Sequence, residues 1–320
     1  MKKRLKKWIK LVGPMGLGIF FIWFSLSKFS SEELDQLWLN IKNVDLQWVI
    51  LSFIMGLISH LSRAYRWKYL LQPVDIFPKF YNSFFTLMMG YLTNLGVPRS
   101  GEVFRGASLA SYENVKFEKA FGTIITERIV DLVMLLAVVG LTSISQSEKI
   151  FTFFKSQNIN PFFGGLIMIC LILLLIIGFK IVKQSQLPFF LRLKNFIEEL
   201  FKGMKSVFTM KEKAYFIVHT FIIWGMYIGM IYVLQFAFPE TQSLAFEATL
   251  VAFIFGAFAM SVTNGGIGLY PVAIGLAFNA FGVSSATGEA FGWVMWGTQT
   301  GLVILLGGLS FIILPLLNRR

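Results

Sequence analysis

Polar and conformationally special residues crowd one stretch of an otherwise apolar chain, from Gly90 to Asp131. They are Asn94, Gly96, Pro98, Arg99, Gly101, Glu102, Arg105, Glu127, Arg128 and Asp131. Arg99 and Arg105, with Glu102 between them, have the chemistry to hold a lipid phosphate. A guanidinium fork matches phosphate oxygens bidentately, and the positive end of a half-helix adds to the attraction. Either arginine taken alone is equally well explained as an anchor to anionic headgroups. Glu127, Arg128 and Asp131 share one arc of a helix at about 100° per residue. On insertion scales a charge at the membrane centre costs roughly 2.5–3.5 kcal/mol, so such a trio calls for mutual pairing in a polar interior. In one reading a lipid phosphate lies near Arg99, Arg105 and Arg128, while Glu102, Glu127 and Asp131 orient those arginines or carry a coupling proton; a structural ion-pair network near the cytoplasmic interface is the other reading. Asn94 and Asn264 could cap half-helices or reach a headgroup through their amides. Arg63 and Arg66, interleaved with Tyr65, Trp67 and Tyr69, suit a headgroup-interface layer.

The elements that position these residues follow from hydrophobic runs and their punctuation. The chain is 56% hydrophobic with a mean hydropathy of +0.68. Several runs approach the roughly 20 apolar residues that cross a bilayer. The expected class is an all-α, polytopic membrane protein, so the net charge of +12 is not a nucleic-acid footprint. Lysines and arginines gathered in cytoplasmic loops account for it. Phe80 to Leu95 reads as a helix that enters the membrane and breaks at Gly96-Val97-Pro98, where proline disfavours helix before it and glycine permits the turn. A full crossing there would leave the basic stretch Arg99 to Lys119 outside. A re-entrant hairpin over residues 80–110 removes the conflict with the positive-inside rule. Phe246 to Val262 breaks likewise at Thr263-Asn264-Gly265-Gly266-Ile267-Gly268, giving a second hairpin over residues 246–282.

Charge asymmetry then yields about six full transmembrane helices and two hairpins of opposite orientation, with both termini cytoplasmic. The spans are Leu11–Leu26, Leu46–Ser62, Ala120–Ser143, Phe162–Ile181, Ala214–Phe236 and Phe291–Leu314. Residues 1–320 form one transmembrane domain. Its first half is 1–143, a connecting span and a basic amphipathic helix fill 144–213, and its second half is 214–320. Thr93-Asn94-Leu95-Gly96 and Thr263-Asn264-Gly265-Gly266 share a T-N-x-G pattern at the breaks. Paired glycine-interrupted segments in matching positions of two halves point to an inverted repeat.

Other chemistry lacks its residues. The single Cys170 offers no disulfide or thiolate site, His60 and His219 form no metal motif, and no phosphate-loop, zinc-protease or nucleophile-elbow pattern stands in usable context. No metal and no cofactor is expected.

The run Asn94-Leu95-Gly96-Val97-Pro98-Arg99-Ser100-Gly101-Glu102-Val103-Phe104-Arg105, followed by Glu127-Arg128-Ile129-Val130-Asp131, resembles the transmembrane domain of lysylphosphatidylglycerol synthases. That domain also occurs alone in a large family of flippase-like membrane proteins. Pro98, Gly101, Glu102, Arg105, Glu127, Arg128 and Asp131 match its pattern, and Gly266-Ile267-Gly268 resembles its second glycine-rich break. Tyr270 and Pro271 stand where the family often carries a glutamate. No aminoacyl-transferase domain follows, so a stand-alone membrane domain is expected. The resemblance implies movement of an anionic phospholipid or a polyprenyl-phosphate lipid across the cytoplasmic (inner) membrane. The alternative is a membrane enzyme, for glycosyl or other group transfer, acting on a lipid-linked substrate. A homodimer is compatible with either, and no nucleic-acid partner is expected.

Overall fold

The computed structural model describes residues 19–20, 22–24, 26–27, 29–97, 99–146 and 210–319, and contains no strand among them. The expected spans Leu11–Leu26 and Phe162–Ile181, the expected basic helix Lys183–Lys213 and the two chain ends lie wholly or largely outside these residues. The helices are α1 (Ser31–Lys42), α2 (Leu46–Leu71), α3 (Phe80–Gly96), α4 (Gly101–Glu113), α5 (Phe117–Ser145), α6 (Lys213–Leu234), α7 (Phe246–Val262), α8 (Leu269–Asn279) and α9 (Ser285–Leu317). The chain divides into two compact units, Met1–Ile124 with Lys211–Arg320, and Ile125–Met210.

Among the described residues three helices, Leu46–Val74, Lys213–Ala237 and Ser285–Leu317, are long and apolar enough to cross a membrane. With the shorter apolar helices Phe246–Val262 and Leu269–Asn279, they make this a multi-pass membrane protein. Their starts are written locally. Asp45 accepts from the Gln47 N–H at the head of α2, and Ser284 from the Thr287 N–H at the head of α9. Ser30 and Glu33 close a capping box on α1.

α2 is inverted relative to a soluble amphipathic helix. Ile50, Ile54 and Ile58 are exposed at a four-residue spacing, while Ser52, Ser59, His60, Arg63 and Arg66 are buried. In lipid the outward face needs only to be apolar, and polar groups turn inward to find partners. The helix was expected to end at Ser62. It runs on to Leu71, and Arg63 and Arg66 on this added length are buried against other helices.

α2 and α6 run antiparallel, touching at Trp48 with Phe236, Ser62 with His219 and Tyr69 with Tyr215. α9 lies along the other side of α2 in the same direction, with Ser52 against Met295 and Gly56 against Gln299.

The two broken segments fold back as helix pairs. α3 and α4 approach until a Cβ at Gly90 would stand 2.8 Å from the Gly101 carbonyl oxygen. The base of this pair is tied by Glu113, which accepts from the Lys79 N–H at 2.8 Å and the Asn82 amide at 2.7 Å. Asn82 and Asn318 exchange amide bonds at 3.1 and 2.8 Å, fixing that base to the C-terminal end of α9. α7 and α8 form the second pair, with Gly256 against Tyr270 and Ile274. Its base is tied by Glu240, which accepts from the Ser284 N–H at 3.0 Å and the Thr287 hydroxyl at 2.7 Å, at the N-terminal end of α9. The two pairs therefore start from opposite ends of one 33-residue helix, about 50 Å long at 1.5 Å per residue.

Candidate functional site

The breaks meet. Asn264 donates from Nδ2 to the Leu95 carbonyl at 2.6 Å, and Leu95 lies in the last turn of α3, whose terminal carbonyls have no intrahelical partner. A Cβ at Gly265 would stand 2.7 Å from Leu95 Cδ2, and Trp296 of α9 donates to the Gly265 carbonyl at 2.8 Å. Gly265, Gly266 and Gly268 all have positive φ, at 64°, 78° and 70°, a region that side chains with a Cβ rarely adopt. The glycine run thus permits a hairpin turn whose tip rests directly on the first break.

In the first break, Val97 is extended and Arg99 takes φ 58° before α4 begins at Gly101. Asn94 accepts from the Gly101 N–H at 2.7 Å, capping α4 from seven residues upstream. A Cβ on Gly101 would strike the Gly90 carbonyl oxygen and stand 2.6 Å from Asn94 Nδ2. Both asparagines singled out from sequence thus bond backbone groups of the breaks.

Arg105, one turn into α4, is 2% exposed, and its guanidinium stacks 3.7 Å from the centre of the Trp67 ring. Trp67 is itself fully buried and donates through Nε1 to the Thr123 hydroxyl at 2.9 Å. The stack fixes the plane of the guanidinium and lowers the cost of burying its charge. Arg66, next to Trp67 on α2, donates to the Thr220 hydroxyl at 3.3 Å. One turn earlier Arg63 donates to the Tyr227 hydroxyl at 3.2 Å. Three arginines are therefore buried in the first unit, with α2 and α6 supplying hydroxyls and aromatic faces.

The other sequence candidates are placed differently. Arg99 is exposed on the break, and Glu102 is half-buried in the first turn of α4. Glu127, Arg128 and Asp131 lie on α5 within the second unit. Glu127 is fully buried, whereas the Arg128 side chain is 41% exposed and pairs with Asp131 at 3.7 Å. The shared arc is thus divided between a buried carboxylate and a partly exposed ion pair. Trp67, Thr220 and Tyr227 were not read from sequence as partners of arginines, because each contact joins segments far apart in the chain. The only available signal was an aromatic interleaved with Arg63 and Arg66. Among the described residues no group of three or more His, Cys, Asp or Glu is placed to hold a metal ion.

At the base of the second pair, burial raises the Glu240 carboxyl, but the hydrogen bonds from Thr287 and Ser284 outweigh it and hold the group below its ordinary value.

Comparison with known proteins fits this arrangement. The chain is 28% identical over 131 residues to UPF0104 membrane protein MJ1595 of Methanocaldococcus jannaschii, a match covering 40% of this chain and 39% of that relative. No solved structure matches. The model of the lysylphosphatidylglycerol synthase TM region matches residues 11–307, which include both breaks and every arginine of the site. The chain belongs to the family defined by the lysylphosphatidylglycerol synthase TM region.

Proposed function

We propose that this protein moves a phosphate-bearing lipid, an anionic phospholipid or a polyprenyl phosphate, between the leaflets of the cytoplasmic membrane. The observation that carries the proposal is the contact of the two breaks at Asn264 and Leu95. Two interrupted helix pairs that start from opposite ends of α9 and touch at their tips bring irregular backbone together, buried at Thr263 and Asn264 and exposed at Val97 and Arg99. Such backbone is tolerated in a membrane only where protein or a polar cavity satisfies it, and in transporters it marks the binding site. In this reading the pairs are re-entrant hairpins of an inverted repeat. Lipid phosphate meets Arg105 on its Trp67 platform, with Arg66 and Arg63 along α2, and Arg99 receives the head group at the exposed edge. The chain ends and the basic helix are cytoplasmic.

The test is transfer in proteoliposomes, using headgroup-labelled phospholipids and a labelled polyprenyl phosphate. Purified protein should expose inner-leaflet label to an impermeant quencher, and Arg105→Ala should slow that exposure at least tenfold while leaving the protein folded. Formation of a new lipid product without leaflet transfer would replace this proposal with a membrane enzyme.

A further inference from the structure

Asn94 caps a helix other than its own. It lies in the last turn of α3, yet its Oδ1 accepts at 2.7 Å from the N–H of Gly101, the buried residue that opens α4. Ser100, which stands in the usual capping place, makes no side-chain bond to that first turn. Its hydroxyl turns back to the Val97 carbonyl at 2.7 Å and the Thr93 carbonyl at 3.3 Å. The first N–H groups of a helix lack intrahelical partners, and a cap holds them in one geometry. Because this cap comes from α3, it fixes α4 against its neighbour. The residue after Asn94 is held as well, since the Leu95 carbonyl accepts from Asn264. Arg105 inherits the placement. It follows Gly101 by four residues and so lies on the same face of α4, one turn on. Gly90 of α3, four residues before Asn94, lies against both: a Cβ there would stand 2.8 Å from the Gly101 carbonyl oxygen and 3.2 Å from Arg105 Cβ. The root of the Arg105 side chain thus rests on bare α3 backbone, and its guanidinium stacks on α2, 3.7 Å from the centre of the Trp67 ring.

We infer that Asn94 is a positioning residue for Arg105: its cap holds α4 in the rotation that lays the guanidinium on Trp67, and it acts on lipid only through that arginine. The part played in transfer rests on the proposal above; the placement of Arg105 does not. Without the Asn94 oxygen the Gly101 N–H is left in a poorly solvated place, and a buried donor without its acceptor is costly. Turning α4 relieves that donor, and the same turn carries Arg105 off the Trp67 face. Gly90 and Gly101 make the arrangement possible, since a Cβ on either would force the two helices apart and take the cap out of reach.

The test reads each arginine separately. The whole protein in detergent is treated with phenylglyoxal, which modifies accessible guanidinium groups, and the modified positions are found by peptide mass spectrometry. In wild type Arg99, which is exposed, should react, whereas the buried Arg63, Arg66 and Arg105 should be shielded. Asn94→Ala should raise the reactivity of Arg105 about tenfold while Arg63 and Arg66 stay shielded. Asn94→Asp keeps the accepting oxygen and should restore the shielding. Asn94→Leu carries the same comparison should the alanine variant fail to fold. This readout needs no transfer, so it decides the placement of Arg105 even if the vesicle assay fails. In that assay Asn94→Ala should slow transfer on the order of tenfold, and adding it to Arg105→Ala should slow transfer no further, because residues that act through one group are not additive. Arg105 as well shielded in Asn94→Ala as in wild type overturns the inference. So does a gain of reactivity shared by Arg63 and Arg66, which marks general loosening. A double variant slower than Arg105→Ala by the full factor of Asn94→Ala also overturns it, giving Asn94 a role of its own.

Discussion

Arg105 illustrates how a membrane protein holds a buried charge. Its guanidinium lies against the Trp67 face at 3.7 Å, and the indole is locked in turn by Thr123. Desolvated cation–π contacts contribute about 2 kcal/mol, a factor of roughly 30 in an equilibrium. Trp67→Leu should accordingly slow lipid transfer by ten- to thirtyfold, whereas Trp67→Phe, which keeps an aromatic face, should lose less than half that effect on a logarithmic scale. Vesicle transfer rates on variants of equal folded yield decide it. Glu127 sets the opposite problem, a carboxylate with no exposed surface. Glu127→Gln should cripple transfer, because a change of charge in a poorly solvated place strands whatever balances it. Asp131→Asn should cost less, since its partner Arg128 is partly exposed whereas Glu127 is wholly enclosed. Equal losses in the two variants would remove that distinction.

At the scale of elements, close backbone approach does the organising. α3 and α4 meet at Gly90 and Gly101, and α8 meets α9 at Gly275 with Gly288 and at Pro271 with Gly292, where a Cβ would stand 2.5 Å from Pro271 Cα. Gly101→Ala should therefore part the first pair and destabilise it by about 1–3 kcal/mol, the usual cost of overpacking, visible as a lower unfolding temperature. Gly301→Ala, with nothing within 4 Å, should be neutral in the same measurement. The glycine and proline punctuation made both breaks legible in the sequence, because it acts through local backbone geometry. The true end of α2 was not legible. Arg63 and Arg66 end the apolar run, and partners such as Tyr227 and Thr220, more than 150 residues away in sequence, help to satisfy them once buried. Glu240 closes the base of the second pair with a folded-state carboxyl held below its ordinary value. Its contribution is fully present above the ordinary carboxylate range and is lost as pH falls through the lowered value. Glu240→Gln should lower the unfolding temperature near neutral pH, and the gap from wild type should close in acid; a gap independent of pH would contradict this account.

Across the whole molecule, α9 acts as a common strut. Its C-terminal end holds the base of the first pair through Asn318, its N-terminal end holds the second through Thr287, and Trp296 supports the tip between them. The family and the membrane class were readable from one motif and from composition, since both depend on residue type alone. The breaks were readable as a pair, but the chemistry of their meeting, an asparagine amide on a helix-terminal carbonyl, needed the structure. The central claim is that lipid head groups pass through that junction. Photolabelling of the unmodified chain in vesicles, with a phospholipid carrying a diazirine in its head group, tests it most directly. The account predicts competable labelling on peptides spanning residues 90–105 and 256–270, reduced in Arg105→Ala. Labelling confined to the lipid-facing side chains of α9, such as Ile304, Leu305 and Ile312, would contradict it.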